Sequence, residues 1–239
     1  MRRAAALLAL CALALSGCES TQEKNAKLEQ HTKHVKLAQT GLSITHASHE
    51  VKVTATTVLR NSEVAAAVVS LHNTSRRALL AVPIAITVKD ASGRTLFQND
   101  TPGLEAALTS VSSIAPGAQL TWVDDQVPPS RAPVSVSALL GQAPSASQHL
   151  PRLRIGAIHN TEDPASGAGV TGTVSNPSAV AQRNLVVFAI ARRAGRVVAA
   201  GRAVLSELPP GASNPFQIFF VGDPRGGHIE VNAPASTAG

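Results

Sequence analysis

From Gly41 to the end of the chain, apolar and polar residues alternate in short runs, the period of a half-buried strand, and no stretch sustains a helical period. Val51, Val53, Ala55, Thr57 and Leu59 alternate with Lys52, Thr54 and Thr56 and predict one buried face. Val64 to Leu71 is a more apolar run that stops at His72-Asn73-Thr74-Ser75, a turn composition. Val82, Ile84, Ile86 and Val88 alternate again and lead into Asp90-Ala91-Ser92-Gly93, a hairpin signal, and then Thr95-Leu96-Phe97. Pro116-Gly117 precedes Leu120 to Val123, and Val134-Ser135-Val136 closes the set.

The second half repeats this order. Leu153-Arg154-Ile155 opens it, and Val170 to Val174 ends at Ser175-Asn176-Pro177-Ser178, matching Asn73-Thr74-Ser75. Stepping back from Gly93 gives Val88, Ile86 and Ile84, and the same steps from Gly195 give Ile190, Phe188 and Val186. Pro116-Gly117-Ala118 recurs as Pro210-Gly211-Ala212, and Trp122 and Phe216 each follow at the same offset. Val134 to Ala138 mirrors Ile229 to Ala233. The chain therefore carries an internal duplication. Strands that bury one face need a second sheet to cover it, so each copy predicts a β-sandwich, with Trp122 and the phenylalanines as core anchors.

The copies resemble the FxLYD-type domain of bacterial and archaeal surface proteins, in which a strand ends in Asn-x-Ser or Asn-Pro-Ser and a Pro-Gly turn precedes an aromatic strand. Asn73, Ser75, Asn176, Pro177, Ser178, Gly93, Gly195, Pro116, Gly117, Pro210, Gly211 and Phe216 match that outline, while the name-giving string and all tyrosine are absent. The resemblance implies two tandem immunoglobulin-like β-sandwich domains, an all-β fold, and no particular activity.

Before the alternation begins, the chain is of another kind. Arg2 and Arg3 precede an apolar stretch from Ala4 to Leu15, too short to span a bilayer, and Leu15-Ser16-Gly17-Cys18 closes it. This run resembles the lipobox of bacterial lipoproteins. It implies a signal peptide over 1–17 and lipid on Cys18, with the chain facing the extracytoplasmic side of a cell membrane or outer membrane. Glu19 to Gln39 is polar and mixed in charge and reads as a tether over 18–39. The expected organisation continues with one sandwich over 40–145, a second over 146–233 and a disordered tail over 234–239. The Pro/Ser-rich joint from Pro144 to Ser147 is where a cut is expected to leave two folding units.

Composition narrows the chemistry. The chain holds 21 Lys and Arg against 15 Asp and Glu, and loss of Arg2 and Arg3 with the signal leaves 19 against 15, or +4. That scattered excess, with 5 Phe, 1 Trp and no Tyr, excludes a nucleic-acid surface built on stacking. Of the two cysteines, Cys11 lies in the signal and Cys18 takes the lipid, so no disulfide forms within the mature chain. There is no Gly-x-Ser-x-Gly, no phosphate loop and no His-Glu-x-x-His, and Asp124, Asp125 and Asp223 read as surface carboxylates. Asn73 and Asn99 stand in Asn-x-Ser/Thr sequons and read as turn residues. His31 with His34, and His46 with His49, share a spacing that puts two imidazoles on one side of a helical turn, the beginning of a Zn²⁺ or Cu²⁺ site. No Cys, Met or nearby carboxylate completes either pair, so solvated histidine is the reading, with no metal and no cofactor assigned.

The function expected is that of a non-catalytic envelope lipoprotein. It would bind the membrane through lipid on Cys18 and an unidentified envelope protein through its surface. The alternative is a carrier that uses a cleft between the sandwiches or His46 and His49.

Overall fold

The computed structural model describes residues 41–61, 64–128, 132–146 and 149–238. The expected lipobox with Cys18, the expected tether over 18–39, and His31 and His34 lie outside the described residues.

The fold is all-β. In the first copy, β1 (Val51–Arg60), β2 (Ala65–Asn73) and β6 (Gln119–Val127) form one antiparallel sheet with β2 central. A second sheet is built around β3 (Leu79–Lys89), with β4 (Thr95–Gln98), β5 (Ser110–Ile114) and β7 (Ser135–Leu140) paired to it. A single helical turn, α1 (Ala106–Thr109), joins β4 to β5. In the second copy, β8 (Arg154–Asp163), β9 (Gly167–Ser175) and β12 (Ser213–Phe219) form one sheet with β8 and β12 at its edges. The other sheet runs β13 (Val221–Gly222), β11 (Arg196–Leu208), β10 (Gln182–Arg193), β14 (His228–Asn232). The elements correspond in order, except that the continuous β11 stands where the first copy has β4, α1 and β5, and that the two-residue β13 has no counterpart strand in the first copy.

The sheets stack in four layers, and in the two middle layers the central strands β2 and β10 are covered on both faces. Along β10, Leu185, Val187, Ala189 and Ala191 belong to the core of the second copy. The intervening Val186, Phe188 and Ile190 join Ala200 and Val221 in the apolar cluster of the first copy. β2 answers in kind, with near-continuous burial from Ala65 to Leu71. A strand covered on both sides must be apolar at every position, which is why these two lose the alternation seen elsewhere.

The register shows why the glycine-anchored alignment misassigns faces. Gly93 closes a three-residue loop in which the Asp90 N–H donates to the Arg94 carbonyl and the Arg94 N–H to Asp90 Oδ1. Its counterpart is a two-residue turn between paired Arg193 and Arg196, with Ala194 and Gly195 at φ 49 and φ 77. One residue fewer reverses every side chain on β10. Measured instead from the buried asparagines, the counterparts of Ile84, Ile86 and Val88 are Val187, Ala189 and Ala191, while Val186, Phe188 and Ile190 point to the first copy. The predicted face of β1 is split for a related reason. A bulge between Val53 and Ala55 puts Val51 and Leu59 on opposite faces and leaves Val53 37% exposed.

Thr40–Gly239 forms one compact unit. Residues 234–237, read from composition as tail, are held to both copies. Ser113 in β5 donates from Oγ to the Ala235 carbonyl at 2.7 Å. Buried Gln182 accepts at Oε1 from the backbone N–H groups of Ser236 and Thr237, at 2.7 and 3.2 Å.

Candidate functional site

Three buried asparagines organise the sandwiches, and the sequence identified two of them only as turn residues. Asn73 ends β2 and donates from Nδ2 to the carbonyls of Arg77, Ile114 and Ala115, at 2.8 to 3.1 Å. Its Oδ1 accepts from the backbone N–H and the hydroxyl of Ser75. Asn176 follows directly on β9 and repeats the pattern on Val180, Leu208 and Pro209, with Ser178 as donor. Each asparagine thereby ties the end of one sheet to the turn that leaves the other. Asn99, in the segment that interrupts the first copy, accepts from the Ile86 N–H and donates to the carbonyls of Ile84 and Leu108. Its amide supplies to β3 the bonds that continuous β11 supplies to β10.

The contact between the copies holds a buried ion pair. Arg202 on β11 donates from Nε to Asp125 Oδ1 at 3.0 Å and from its backbone N–H to Oδ2 at 3.2 Å. The Arg202 side chain is only 4% exposed, and its Nη1 is buried without a partner among the described residues. Asp124, one position earlier and so on the other face of β6, is buried in the first sandwich. It accepts from the Gln126 N–H at Oδ1, while its Oδ2 is orphaned. Burial pushes its carboxyl up to about 6, against the opposing pull of that hydrogen bond and of Arg202. The surface reading of Asp124 and Asp125 is thus corrected, since both lie where sheets pack.

Two clefts flank this contact. One, of about 460 Å³, runs between β1–β2–β6 and β10–β14 and is lined by Thr54, Ser70, Thr121, Phe188, Arg192 and Glu230. Arg192 spans it, pairing with Glu230 at 3.1 Å and reaching Thr121 Oγ1. The other, of about 640 Å³, lies between the Asn73 turn, the segment joining the copies and the C-terminal residues, with Arg76, Arg77, His149 and Arg152 on its walls.

Of the residues weighed from sequence, Trp122 and Phe216 are core anchors, buried at 0% and 4%. Trp122 also donates from Nε1 to the Ala107 carbonyl on α1. His46 and His49 are exposed and flank an isolated bridge of Ala47 to Gly141, so the segment is strand-like and lacks the helical turn that would align two imidazoles. His46 Nδ1 lies 3.0 Å from Thr45 Oγ1. Among the described residues no three His, Cys, Asp or Glu side chains gather to hold a metal. Asp223 pairs with neighbouring Arg225 at the surface, which holds its carboxyl below the usual range. Arg202 and Gln182 escaped the sequence reading, and Asn99 was read only as a turn residue, because nothing in a lone polar residue marks which face of a strand will be covered.

No family model matches the chain, and no curated protein matches it. Among solved structures it is similar to the exo-chitosanase of Amycolatopsis orientalis and to a variant of that enzyme in complex with PNP-β-D-glucosamine. Both match at 14% identity and a TM-score of 0.29, over 72% of this chain and 24% of the enzyme chain. The chain thus spans about a quarter of those enzymes, and a likeness this slight bears on neither fold nor function.

Proposed function

We propose that the protein is a non-catalytic lipoprotein of the bacterial cell envelope, held by lipid on Cys18, that presents a rigid pair of immunoglobulin-like sandwiches to a protein partner. The observation that carries this reading is the Leu15-Ser16-Gly17-Cys18 run followed by a polar stretch that ends where the all-β body begins. The body lends support, because its buried polar groups serve architecture. Asn73, Asn99, Asn176 and Gln182 cap strands, and Arg202 and Asp125 join the copies. For a partner, β8 offers a ten-residue edge strand that among the described residues pairs only with β9 and is mostly exposed, including Ile158 at 42%. Its unpaired backbone groups suit addition of a strand.

Fractionation of native cells tests the anchor. Cys18→Ala moves the protein from the membrane fraction to the soluble one, or leaves an unprocessed precursor, and unchanged attachment overturns the assignment. Crosslinking in living cells, with the same variant as control, then identifies the partner.

A further inference from the structure

The duplication supplies an internal control for the larger cleft. The turns after Asn73 and Asn176 make the same hydrogen bonds, the amide donating to the Arg77 carbonyl in one and the Val180 carbonyl in the other, each at 2.8 Å. At the same two positions the first copy carries Arg76-Arg77 and the second Ala179-Val180. The turn therefore works without a cation, and the two arginines need another explanation. They open onto the cleft of about 640 Å³, and Arg152 and His149 face them from the segment between the copies. No described lining residue is acidic. Arg77 is met at its edge by Glu50, 2.6 Å away, while Arg76 and Arg152 have no carboxylate partner among the described residues. Like charges gathered along one rim repel unless an anion joins them. The floor is apolar, formed by Ile114, Leu120, Leu150 and Leu153. A cleft of this size falls within the range of small-molecule sites, about 300–1,000 Å³.

We propose that this cleft binds an anionic amphiphile, with a phosphate or carboxylate head on Arg76 and Arg152 and an acyl segment along the Ile114–Leu153 floor. Guanidinium groups suit such heads because their paired N–H donors match two oxygens at once. A free inorganic anion would leave the apolar floor unused. The site needs no lipid on Cys18, so its test is independent of the anchor.

The experiment uses the full chain carrying Cys18→Ala, titrated calorimetrically with dihexanoyl-phosphatidylglycerol below its micelle concentration, in about 100 mM salt. Saturable binding is expected, with dihexanoyl-phosphatidylcholine and inorganic phosphate each weaker by about tenfold or more. Arg76→Ala with Arg152→Ala weakens the phosphatidylglycerol by a similar factor. The second copy already carries alanine where Arg76 stands, so the turn survives the change. Arg225→Ala, outside the cleft, leaves binding unchanged. Flotation with phosphatidylglycerol vesicles assigns the source: binding to vesicles as well as monomers marks a membrane lipid, and binding to monomers alone a free amphiphile. Absence of saturable binding to the short-chain lipid overturns the proposal. So does affinity undiminished in the double variant, or tight binding of an acidic peptide in place of the lipid.

Discussion

A single buried asparagine illustrates how much one side chain carries here. Asn73 satisfies three carbonyls and two donors at once, and Asn176 does the same in the second copy. Replacing either by alanine strands buried carbonyls and costs about 2–4 kcal/mol in chemical denaturation, and aspartate costs more because a carboxylate oxygen then faces those carbonyls. An effect below about 1 kcal/mol would show the staple to be dispensable. Asp124 works in the opposite direction. Its carboxyl titrates at about 6 in the folded chain against 3.8 when unfolded, so the native state binds the proton more tightly. Below the unfolded value both states are protonated and nothing is lost. Stability falls as pH rises from about 4 to 6, and above that the native state bears the full cost, of the order of 3 kcal/mol. Asp124→Asn is therefore expected to raise Tm at pH 7.5 and to flatten the change in Tm between pH 4 and 6. A loss of stability at pH 7.5 would mean that attraction to Arg202 outweighs burial.

At the scale of elements, one residue in a turn decides what β10 does. The two-residue turn at Ala194-Gly195 sends Val187, Ala189 and Ala191 into the second copy and Val186, Phe188 and Ile190 into the first. Both faces are then covered, and β10 with β11 becomes the joint of the molecule. Phe188→Asp places an unpaired charge in that joint and is expected to lower Tm by about 10 °C and to expose the 144–153 segment to protease. Val204 on β11 lies on the same face of that sheet at a position 42% exposed, and Val204→Asp should change Tm by no more than about 2 °C. Equal effects of the two would contradict the packing described. Gly172 shows the same dependence on close approach, since the Phe216 ring lies against it where any Cβ would stand.

For the molecule as a whole, a shared apolar cluster, the Arg202–Asp125 pair and the Ser113–Ala235 bond make the copies interdependent. Thermal unfolding is expected as one cooperative transition followed alike by calorimetry and circular dichroism. The fragment 146–239 alone should self-associate in sedimentation, because Val186, Phe188, Ile190 and Val221 lose their cover. Two separate transitions, or a monomeric fragment, would instead restore the independent folding expected from the Pro/Ser-rich joint.

The all-β class, most strand positions, the duplication and the core placement of Trp122 and Phe216 were legible in the order of residues. Alternation, turn chemistry and repeated spacing are local properties, and they act over a few neighbouring residues. The resemblance of Leu15-Ser16-Gly17-Cys18 to a lipobox rests on the same kind of short continuous pattern. Which face of β10 meets which partner was not, because register depends on a turn one residue shorter than its counterpart. Nor was the burial of Asp124, Asn99 and Arg202, or the gathering of Arg76, Arg77 and Arg152 around one cleft. Those depend on segments far apart in the chain being stacked against one another, and only tertiary packing decides which polar side chain is left in water and which is enclosed.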